Sequence, residues 1–304
     1  MREIKKHRLE ATDERQYMIQ EGYEVYEKQG APLGALAFHY HSFYEIIYVL
    51  EGEYSSMLEN QTYHMKKGDF LLIDCNVMHK YHFIEKKHDS SRRIILWVTR
   101  EMLQSLSGES MDLSACFHGQ NSCAYHFPIY YEEMLRGYLL KLVMAELPDV
   151  PVPEVKQVLD RGCLTLLFGW LNVLCPCGEY GFSRENMVFH PMVEQVADYI
   201  DRHIGGGISV EELADYVHLS KYYFLRKFKE QTGVTVHNFV LNKRLIQASG
   251  ELLRGKSLTE TWQNAGFTDY SSFLRNFRKA FGVPPGKYRE QMISPLSSPA
   301  AVPQ

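Results

Sequence analysis

A short cationic segment occurs twice in this chain, and that repeat constrains the fold more than any other feature of the sequence. FLRKFKEQTGV begins at Phe224, and FLRNFRKAFGV begins 49 residues later at Phe273. Six of the eleven positions are identical, and a seventh exchanges Lys229 for Arg278. Because a fixed internal spacing is typical of a repeated supersecondary unit, the sequence predicts two copies of one helical motif.

The first copy has the pattern of a short helix, a turn and a second helix. Ser209-x-x-Glu212 predicts a capping box at the start of the short helix, and Ser220 is expected to be the N-cap of the second helix. Phe224 and Phe228 lie at i and i+4, so they share the face that enters a core and leave the cationic side chains outside. A glycine follows, which is the residue that most often ends a helix.

The second copy follows the same plan. A predicted helix over 258–265 precedes Thr268 or Asp269 as N-cap, and Phe273 and Phe277 anchor the second helix in a core. A glycine and two prolines then prevent its continuation. A short helix, a tight turn and a second helix with a cationic, aromatic outer face predict a helix-turn-helix in each copy.

Charge supports a nucleic-acid partner for the repeated region. The whole chain carries −4 at pH 7, which by itself would argue against nucleic acid. The segment from Lys221 to Arg289 nevertheless holds 13 Lys and Arg against four Asp and Glu, a net charge of +9. Charged stretches are often only solvated helix faces, so the repeat decides between DNA binding and an ordinary helical domain, and it favours DNA binding.

The separation of the two copies also fits duplex DNA. A single helix predicted over 238–254 would hold the two units at a fixed distance. The major groove of B-DNA returns to the same face about every 34 Å, so two recognition helices on one strut can read two successive turns. Arg226 and Arg275 can each donate two hydrogen bonds to a guanine edge, while neighbouring Tyr, Ser and Lys side chains hold phosphates.

Both copies resemble a known family. ISVEELADYVHLSKYYFLRKFKEQTG and GFTDYSSFLRNFRKAFGVPPGKYRE are similar to the two signature segments of the AraC/XylS family of bacterial transcription regulators, over about residues 190–290. The resemblance implies promoter DNA and RNA polymerase as partners, usually for activation. The expected DNA-contacting residues are Ser220, Lys221, Tyr222, Tyr223, Leu225, Arg226, Lys229, Thr268, Asp269, Tyr270, Ser271, Ser272, Arg275, Arg278 and Lys279. Trp262 stands where the family has a small Ala, which predicts a repacked second unit with altered contacts.

The N-terminal half predicts a ligand-binding domain. Residues 36–98 are strand-like, with short runs of Tyr, Ile, Val and Phe broken by Gly-containing turns. Their most informative spacing is His39-x-His41-x3-Glu45-x6-Gly52, followed by Gly68-x10-His79. That spacing resembles the two motifs of the cupin superfamily, although Asp74, Asn76 and Phe83 stand where the superfamily often has Pro, Gly and Asn. The resemblance implies a small antiparallel β-barrel whose mouth holds a ligand.

Imidazole and carboxylate groups would converge inside such a barrel. Residues i and i+2 of a strand face the same way, so His39, His41 and Glu45 share one face, and His79 arrives from a later strand. In AraC/XylS regulators such a set usually implies an effector pocket, often for a sugar, and this is the preferred interpretation. The expected effector-binding residues are His39, His41, Glu45, His79, Tyr44, Tyr48, Tyr63 and Trp97.

Two other interpretations of these residues stay open. Three imidazoles and one carboxylate are a chemically sound set for Zn, Ni, Mn or Fe, with His39, His41, Glu45 and His79 as the ligands. The same side chains can also simply satisfy one another inside the barrel. No cofactor is expected for an effector pocket and no catalytic residue is assigned. A divalent metal is retained as the alternative, together with a metal-dependent cupin enzyme that carries a DNA-binding tail.

The middle of the chain predicts two helices over 132–174, around a Pro-rich break at 148–153. The second helix carries an apolar stripe that is either core or, as the family resemblance implies, a dimer seam. Its members are Val155, Val158, Leu159, Gly162, Leu166, Leu167 and Leu171. CPCGEYGFSREN, from Cys175, then predicts a linker. The six cysteines contain no CxxC pair, so reduced thiols are expected, and a thiol-based redox sensor is a weaker alternative.

The predicted class is therefore α+β with two domains. A cupin-like barrel is expected over 1–130, a helical linker and dimerisation segment over 131–188, a double helix-turn-helix over 189–290 and a flexible tail over 291–304. The sequence has no run of about 20 apolar residues, and its basic start lacks the apolar stretch of a signal peptide. A cytoplasmic homodimer without membrane contact is expected.

Overall fold

The computed structural model describes residues 18–30, 39–59, 61–82, 91–118, 123–144, 153–183 and 187–293 of the 304-residue chain. This part of the chain forms two compact units, Met1–Phe189 and His190–Gln304. Among the described residues the first unit contains strands and helices and the second contains helices, so the α+β class is confirmed. Phe83, residues 148–152 of the predicted break and residues 294–304 of the predicted tail lie outside the described residues.

Two antiparallel sheets form the barrel of the first unit. Their strands are β1 (Tyr23–Gln29), β2 (Tyr44–Glu51), β3 (Glu53–Leu58), β4 (Gln61–Lys66), β5 (Asp69–Ile73), β6 (His79–His82), β7 (Arg92–Val98), β8 (Ala124–His126) and β9 (Met187–Phe189). The strand orders are β1-β7-β2-β5-β8 and β6-β3-β4-β9. β1 lies before the region that the sequence predicts to form strands. Its Glu24 is 3% exposed, and a charged residue on the buried face of a strand breaks the apolar alternation by which strands are recognised.

Strand β2 separates two cores. On one face Ile47 packs inside the barrel with Tyr54 of the opposite sheet. The first unit also contains helices α1 (Arg100–Leu106), α2 (Ile129–Met144) and α3 (Pro153–Leu174). On the other face of β2, Ile46 packs with Leu139 of α2 and Phe168 of α3. Alternate residues of β2 therefore enter different cores, because successive side chains of a strand point to opposite faces.

The two predicted middle helices are present as α2 and α3, and they belong to the first unit rather than to a separate segment. The following stretch was predicted to be a linker, but residues 175–183 pack on the barrel. The Phe182 N–H donates to the Ala124 carbonyl, and the His126 N–H donates to the Tyr180 carbonyl, each at 2.9 Å. Phe182 is buried there, so its aromatic side chain holds the stretch against the sheet.

The second unit consists, within the described residues, of seven helices. They are α4 (Pro191–His203), α5 (Val210–Tyr216), α6 (Lys221–Thr232), α7 (Val236–Leu253), α8 (Leu258–Asn264), α9 (Tyr270–Phe281) and α10 (Pro285–Ile293). The α5–α6 and α8–α9 pairs are the two predicted helix-turn-helix units, and α7 is the predicted strut between them. The predicted tail over 291–304 begins inside α10, which continues to Ile293.

Helix ends in this unit follow the predicted signals with one exception. Gly233 and Gly282 end α6 and α9 in the left-handed region, with φ of 79° and 75°. The Ser209–Glu212 capping box is present, and α8 has a second box at Ser257 and Glu260 that was not predicted. Asp269, rather than Thr268, caps α9. Ser220 occupies the N-cap position of α6, but its side chain makes no capping hydrogen bond.

Candidate effector site and nucleic-acid interface

Glu45 of β2 is the centre of the predicted site inside the barrel. Its Oε2 lies 3.0 Å from Nε2 of His41 and 3.3 Å from Nε2 of His79. Its Oε1 accepts hydrogen bonds from the Tyr81 hydroxyl at 2.8 Å and from the Trp97 indole N–H at 2.9 Å. The carboxylate is 1% exposed. A buried carboxylate thus connects four side chains that come from three other parts of the barrel.

Backbone carbonyls fix the orientation of two imidazole rings. Nδ1 of His41 lies 2.8 Å from the Phe43 carbonyl, and Nδ1 of His79 lies 2.9 Å from the Val77 carbonyl. A carbonyl oxygen can only accept, so Nδ1 carries the proton in both rings and Nε2 is directed at Glu45. His79 Nε2 is not aligned for a hydrogen bond with that carboxylate.

Burial dominates the electrostatics of this cluster. It lowers the pKa of His41, and the hydrogen bond and charge of Glu45 oppose this shift without cancelling it. Burial alone would raise the pKa of Glu45, but the hydrogen bond of His41 and the charges of His41 and His79 outweigh it and hold that pKa well below the usual range. Burial and the adjacent Glu45 together raise the pKa of the Tyr81 hydroxyl, which therefore remains a donor.

Aromatic side chains surround the polar groups. The Phe43 ring stacks on His41 with centroids 4.0 Å apart, and Trp97 lies 4.8 Å from Phe43. Tyr26 of β1 meets Trp97 edge-on at 5.3 Å. Tyr81 and Tyr26 were missing from the predicted site. The alternation that grouped His39, His41 and Glu45 would have found Tyr81, because it lies two residues after His79 on β6.

The structure does not bring all of the predicted effector residues together. Tyr44 and Tyr48 point away from the barrel interior, because each lies an odd number of residues from Glu45 on β2. Tyr63 is inside the barrel, but its hydroxyl donates to Gln61 at 2.7 Å. His39 is near the cluster, with its ring centroid 4.2 Å from that of His79.

Burial disfavours the reactive thiolate form of five of the six cysteines, all except the exposed Cys177. Burial raises the pKa of Cys75 to about 12, of Cys123 to about 11 and of Cys175 to about 12. Burial also raises the pKa values of Cys116 and Cys163. Because the thiolate is the reactive form, these shifts disfavour the redox-sensor alternative.

Helix α6 presents most of its predicted DNA contacts to solvent. Lys221, Tyr222, Tyr223, Arg226 and Lys229 are exposed, with Ser220 before them, and Leu225 is half-buried. The Arg226 guanidinium lies 5.5 Å from the Tyr223 ring centroid and 3.7 Å from the carboxylate of Glu230. Lys221 pairs with Glu211 of α5. An exposed face with cations and tyrosines fits phosphate and base-edge contacts.

Helix α9 presents a second such face. Thr268, Asp269, Tyr270, Ser271, Arg275, Arg278 and Lys279 are exposed, and Ser272 is half-buried. Asp269 accepts from the Ser272 backbone N–H at 2.8 Å, which commits this carboxylate to capping. The Ser272 hydroxyl lies 3.2 Å from the Asn276 amide nitrogen, so part of its hydrogen-bonding capacity is used inside the helix.

The two units are related by two spacings rather than one. Their capping boxes start at Ser209 and Ser257, 48 residues apart, whereas α6 and α9 start at Lys221 and Tyr270, 49 residues apart. The turn of the second unit is therefore one residue longer. Trp262 corresponds to Ala214 under the first spacing, and Trp262 is half-buried whereas Ala214 is 1% exposed.

Comparisons with known proteins agree with both units. The AraC-like ligand-binding domain matches residues 21–160, and a helix-turn-helix domain matches residues 213–291. The chain belongs to the AraC family of transcriptional regulators. A probable transcriptional regulator, LumQ of Photobacterium leiognathi, is 25% identical over 253 residues, which cover 83% of this chain and 91% of LumQ.

Two further relatives match different lengths of this AraC-family regulator. The transcriptional activator RhaS of Yersinia pestis is 24% identical over 267 residues, which cover 86% of this chain and 92% of RhaS. The regulatory protein PocR of Salmonella typhimurium is 34% identical over 95 residues, 31% of either chain. This protein is thus a DNA-binding transcription regulator with an effector-binding domain. No described helix is long and apolar enough to cross a membrane.

Proposed function

We propose that the cluster around Glu45 is the effector site and that the effector is a polyhydroxylated, sugar-like molecule. The observation that carries the proposal is the buried carboxylate, which faces two imidazoles, a phenol and an indole. Such groups exchange hydrogen bonds with hydroxyls, and the Phe43 and Trp97 rings suit the apolar face of a sugar. An apolar effector would have to separate these polar groups without replacing their hydrogen bonds.

Strand β2 connects this site with the helices of the first unit. Glu45 faces the barrel interior, whereas Tyr44 stacks on Phe117 with ring centroids 4.5 Å apart. Tyr48 donates to Glu132 of α2. A ligand that moves β2 therefore changes helix packing on the other face of the same strand, which is the proposed route from effector to DNA affinity. We further propose that the protein acts in the cytoplasm, where it activates transcription at a promoter by contacting RNA polymerase.

Thermal unfolding of the full-length protein with a panel of sugars and sugar acids tests the effector assignment. An effector at a hundredfold over its Kd adds about 2.7 kcal/mol of stability. In Glu45→Gln this ligand-dependent gain should disappear. Glu132→Gln should keep it, because that buried carboxylate lies on the other side of the sheet. An equal gain in both variants would place the effector elsewhere, and an effector that changes neither DNA affinity nor half-site spacing would reject the coupling.

The outer face of α3 supports a homodimer. The predicted stripe divides in the structure: Leu167 and Leu171 are buried against the sheet, and the opposite face is open. The apolar residues on that face, 49–70% exposed, are Val155, Val158, Leu159, Leu166 and Val173. Positions 155, 159, 162, 166, 169 and 173 alternate spacings of four and three residues, which is the pattern of a helix–helix seam.

Two glycines in this seam favour a second copy of the same helix as the partner. A Cβ added to Gly162 or Gly169 would meet no heavy atom within 4 Å, so the face is open to a close approach there. Leu159, Leu166 and Val173 alternate with the glycines along the seam. In a twofold pair the bulky side chains of one copy can lie over the glycines of the other, which makes the surface self-complementary.

Light scattering coupled to size-exclusion chromatography tests the seam on the full-length protein. The wild type should be dimeric, and Leu166→Glu should be a folded monomer with the far-UV circular dichroism of the wild type, because Leu166 is outside the core. Gln157→Glu adds the same charge to an exposed position of α3 outside the seam and should remain dimeric. A monomeric wild type, or a dimeric Leu166→Glu, would contradict the proposal.

A divalent metal ion is the second candidate for the Glu45 site, and ring orientation favours it. Both Nδ1 atoms donate to carbonyls, so a neutral ring directs the Nε2 lone pair at the carboxylate. Burial lowers the pKa of His41 and thus favours its neutral ring. Without a proton on either Nε2, the lone pairs of His41, His79 and Glu45 face one another, which is unfavourable unless a metal cation lies among them.

The donor set suits such an ion. One nitrogen from His41, one from His79 and a carboxylate oxygen of Glu45 lie within 4.8 Å of one another. A metal-bound histidine typically donates its other N–H to a carbonyl or carboxylate, as both rings do here. Two imidazoles and a carboxylate suit Zn, Fe, Ni or Mn, and a bound ion would polarise effector hydroxyls. His39, the fourth predicted ligand, is adjacent to this group but not part of it.

Elemental analysis of the purified protein distinguishes the two candidates. About one equivalent of a divalent metal should accompany the wild type and His39→Gln, and none should accompany Glu45→Gln. Chelation should lower the melting temperature of the wild type, and the metal should restore it. A wild type whose melting temperature neither EDTA nor Zn²⁺ changes would reject the metal, and stabilisation by a sugar regardless of chelator would support the metal-free pocket.

A further inference from the structure

The first helices of the two helix-turn-helix units, α5 and α8, differ in side-chain size at one pair of corresponding positions. Leu213 and Thr261 correspond, and both are fully buried. The next positions are Ala214, which is buried, and Trp262, which is half-buried. Because Ala214 is 1% exposed, an indole at its position would overfill the core of the first unit. In the second unit the ring instead lies at the edge of the helix pair.

The Trp262 ring packs against the start of the second recognition helix. Its centroid is 6.3 Å from that of Tyr270, the first residue of α9. Tyr270 is 40% exposed, and its ring is also 6.2 Å from that of Phe273 in the core. The N-terminal residues of a recognition helix are those that contact base edges. Trp262 therefore contacts a residue at the DNA-reading end of α9 while remaining partly open to solvent.

We propose that Trp262 is a positioning residue that sets the base preference of the second unit. Its ring contacts Tyr270, which also contacts the buried Phe273, so the phenol has two aromatic neighbours that restrict its position. At the corresponding position of the first unit, Ala214 has no ring that could make such a contact. This proposal rests on the DNA-binding function of the family and adds a determinant of its specificity.

Selection from a randomised duplex library, with full-length protein and sequencing of the bound fraction, tests this role. Wild-type protein should enrich two half-sites. Arg226→Ala and Arg275→Ala identify which half-site each unit reads, because each removes one exposed arginine from one recognition helix. Trp262→Ala should reduce the base preference of the half-site that Arg275→Ala affects by roughly 5- to 10-fold, and it should leave the other half-site unchanged.

Two controls separate positioning from folding and from general affinity. Trp262→Phe keeps an aromatic ring beside Tyr270 and should retain most of the preference. The dependence of affinity on salt should be the same for Trp262→Ala and wild type, because no phosphate contact is removed. A uniform loss over both half-sites, or no loss at either, would overturn the proposal. A wild type that enriches no motif would instead contradict sequence-specific binding itself.

Discussion

Helices α6 and α9 begin from the same arrangement of buried phenylalanines and end at glycines, yet they are held in place by different means. Four residues connect α5 with α6, and five connect α8 with α9. The left-handed residue of the turn is His218 in the first unit and Gly266 in the second. The N-cap is Ser220 without a capping bond in the first and Asp269 with one in the second.

The difference extends to the cations that face DNA. Arg226 of α6 lies 3.7 Å from Glu230, whereas the residue at the corresponding position of α9, four residues after Arg275, is Lys279. The identical residues include the buried phenylalanines, the glycines that end the helices and one exposed arginine, and the residues that differ decide turn geometry, capping and the remaining charge. A duplicated fold can acquire two recognition helices with different DNA-facing surfaces in this way, while its buried phenylalanines stay the same.

The largest expected effect is at the turn of the second unit. A Cβ at Gly266, where φ is 75°, would lie 2.1 Å from the Ile204 carbonyl oxygen. Gly266→Ala should therefore lower the free energy of unfolding by roughly 3–5 kcal/mol, from backbone strain and overlap together. Gly255→Ala is the matched control, because Gly255 has φ of 81° with no atom within 4 Å. It should cost only about 1 kcal/mol.

Urea denaturation followed by far-UV circular dichroism measures both variants. Equal losses at the two glycines would mean that positive φ alone matters and that the close approach to Ile204 does not constrain the second unit. In that case the turn before α9 would be no more constrained than the open turn between α7 and α8 that contains Gly255.

The next effect concerns the two arginines. Arg275→Ala should cost roughly 1–3 kcal/mol at one base position, and Arg226→Ala should cost less because binding must first release Glu230. Lys229→Ala should weaken all sequences alike and reduce the salt slope by about one. Binding titrations on the enriched site and on single-base variants measure these losses. Arg226→Ala with an equal loss on every sequence would remove Arg226 from base readout.

A smaller effect is expected at the caps. Asp269→Ala removes the acceptor of the Ser272 N–H and should lower the free energy of unfolding by about 1 kcal/mol, whereas Ser220→Ala should change it by less than about 0.3 kcal/mol. Thermal unfolding should be measured without DNA. Loss of the negative charge of Asp269 also reduces repulsion from DNA phosphates, and this would obscure the effect on folding. A cost at Ser220 equal to that at Asp269 would show that the two caps act alike.

The sequence predicted these helices well and the barrel site only in part, for a physical reason. Helix caps, turn glycines and the i, i+4 phenylalanines are local signals, and they placed α5 to α9 within a few residues. Glu45 and His41 also follow from strand alternation. Tyr48 was assigned to the site although the same alternation turns it towards Glu132, on the other side of the sheet. Which buried face a strand residue enters depends on the layers around it, and no local pattern encodes that.

The α3 seam illustrates the same limit. Leu166 and Leu167 are adjacent and equally apolar, but Leu167 is fully buried against the sheet and Leu166 is 49% exposed. Periodicity identified the stripe as core or seam without separating its members, because both faces of α3 are apolar. The position of the helix on the sheet makes the separation, and that position is set by contacts with distant strands.

The last expected effect has the opposite sign and concerns the turn of the first unit. His218 is exposed and has φ of 55°, a conformation that is strained for a side chain with a Cβ. His218→Gly removes this strain but loosens the unfolded chain, so a net gain of about 0.5 kcal/mol in the free energy of unfolding is expected. A loss instead would mean that the imidazole stabilises the first turn through contacts of its own. The turn of the first unit would then be stabilised by the side chain of His218, whereas the turn of the second unit requires a glycine, Gly266.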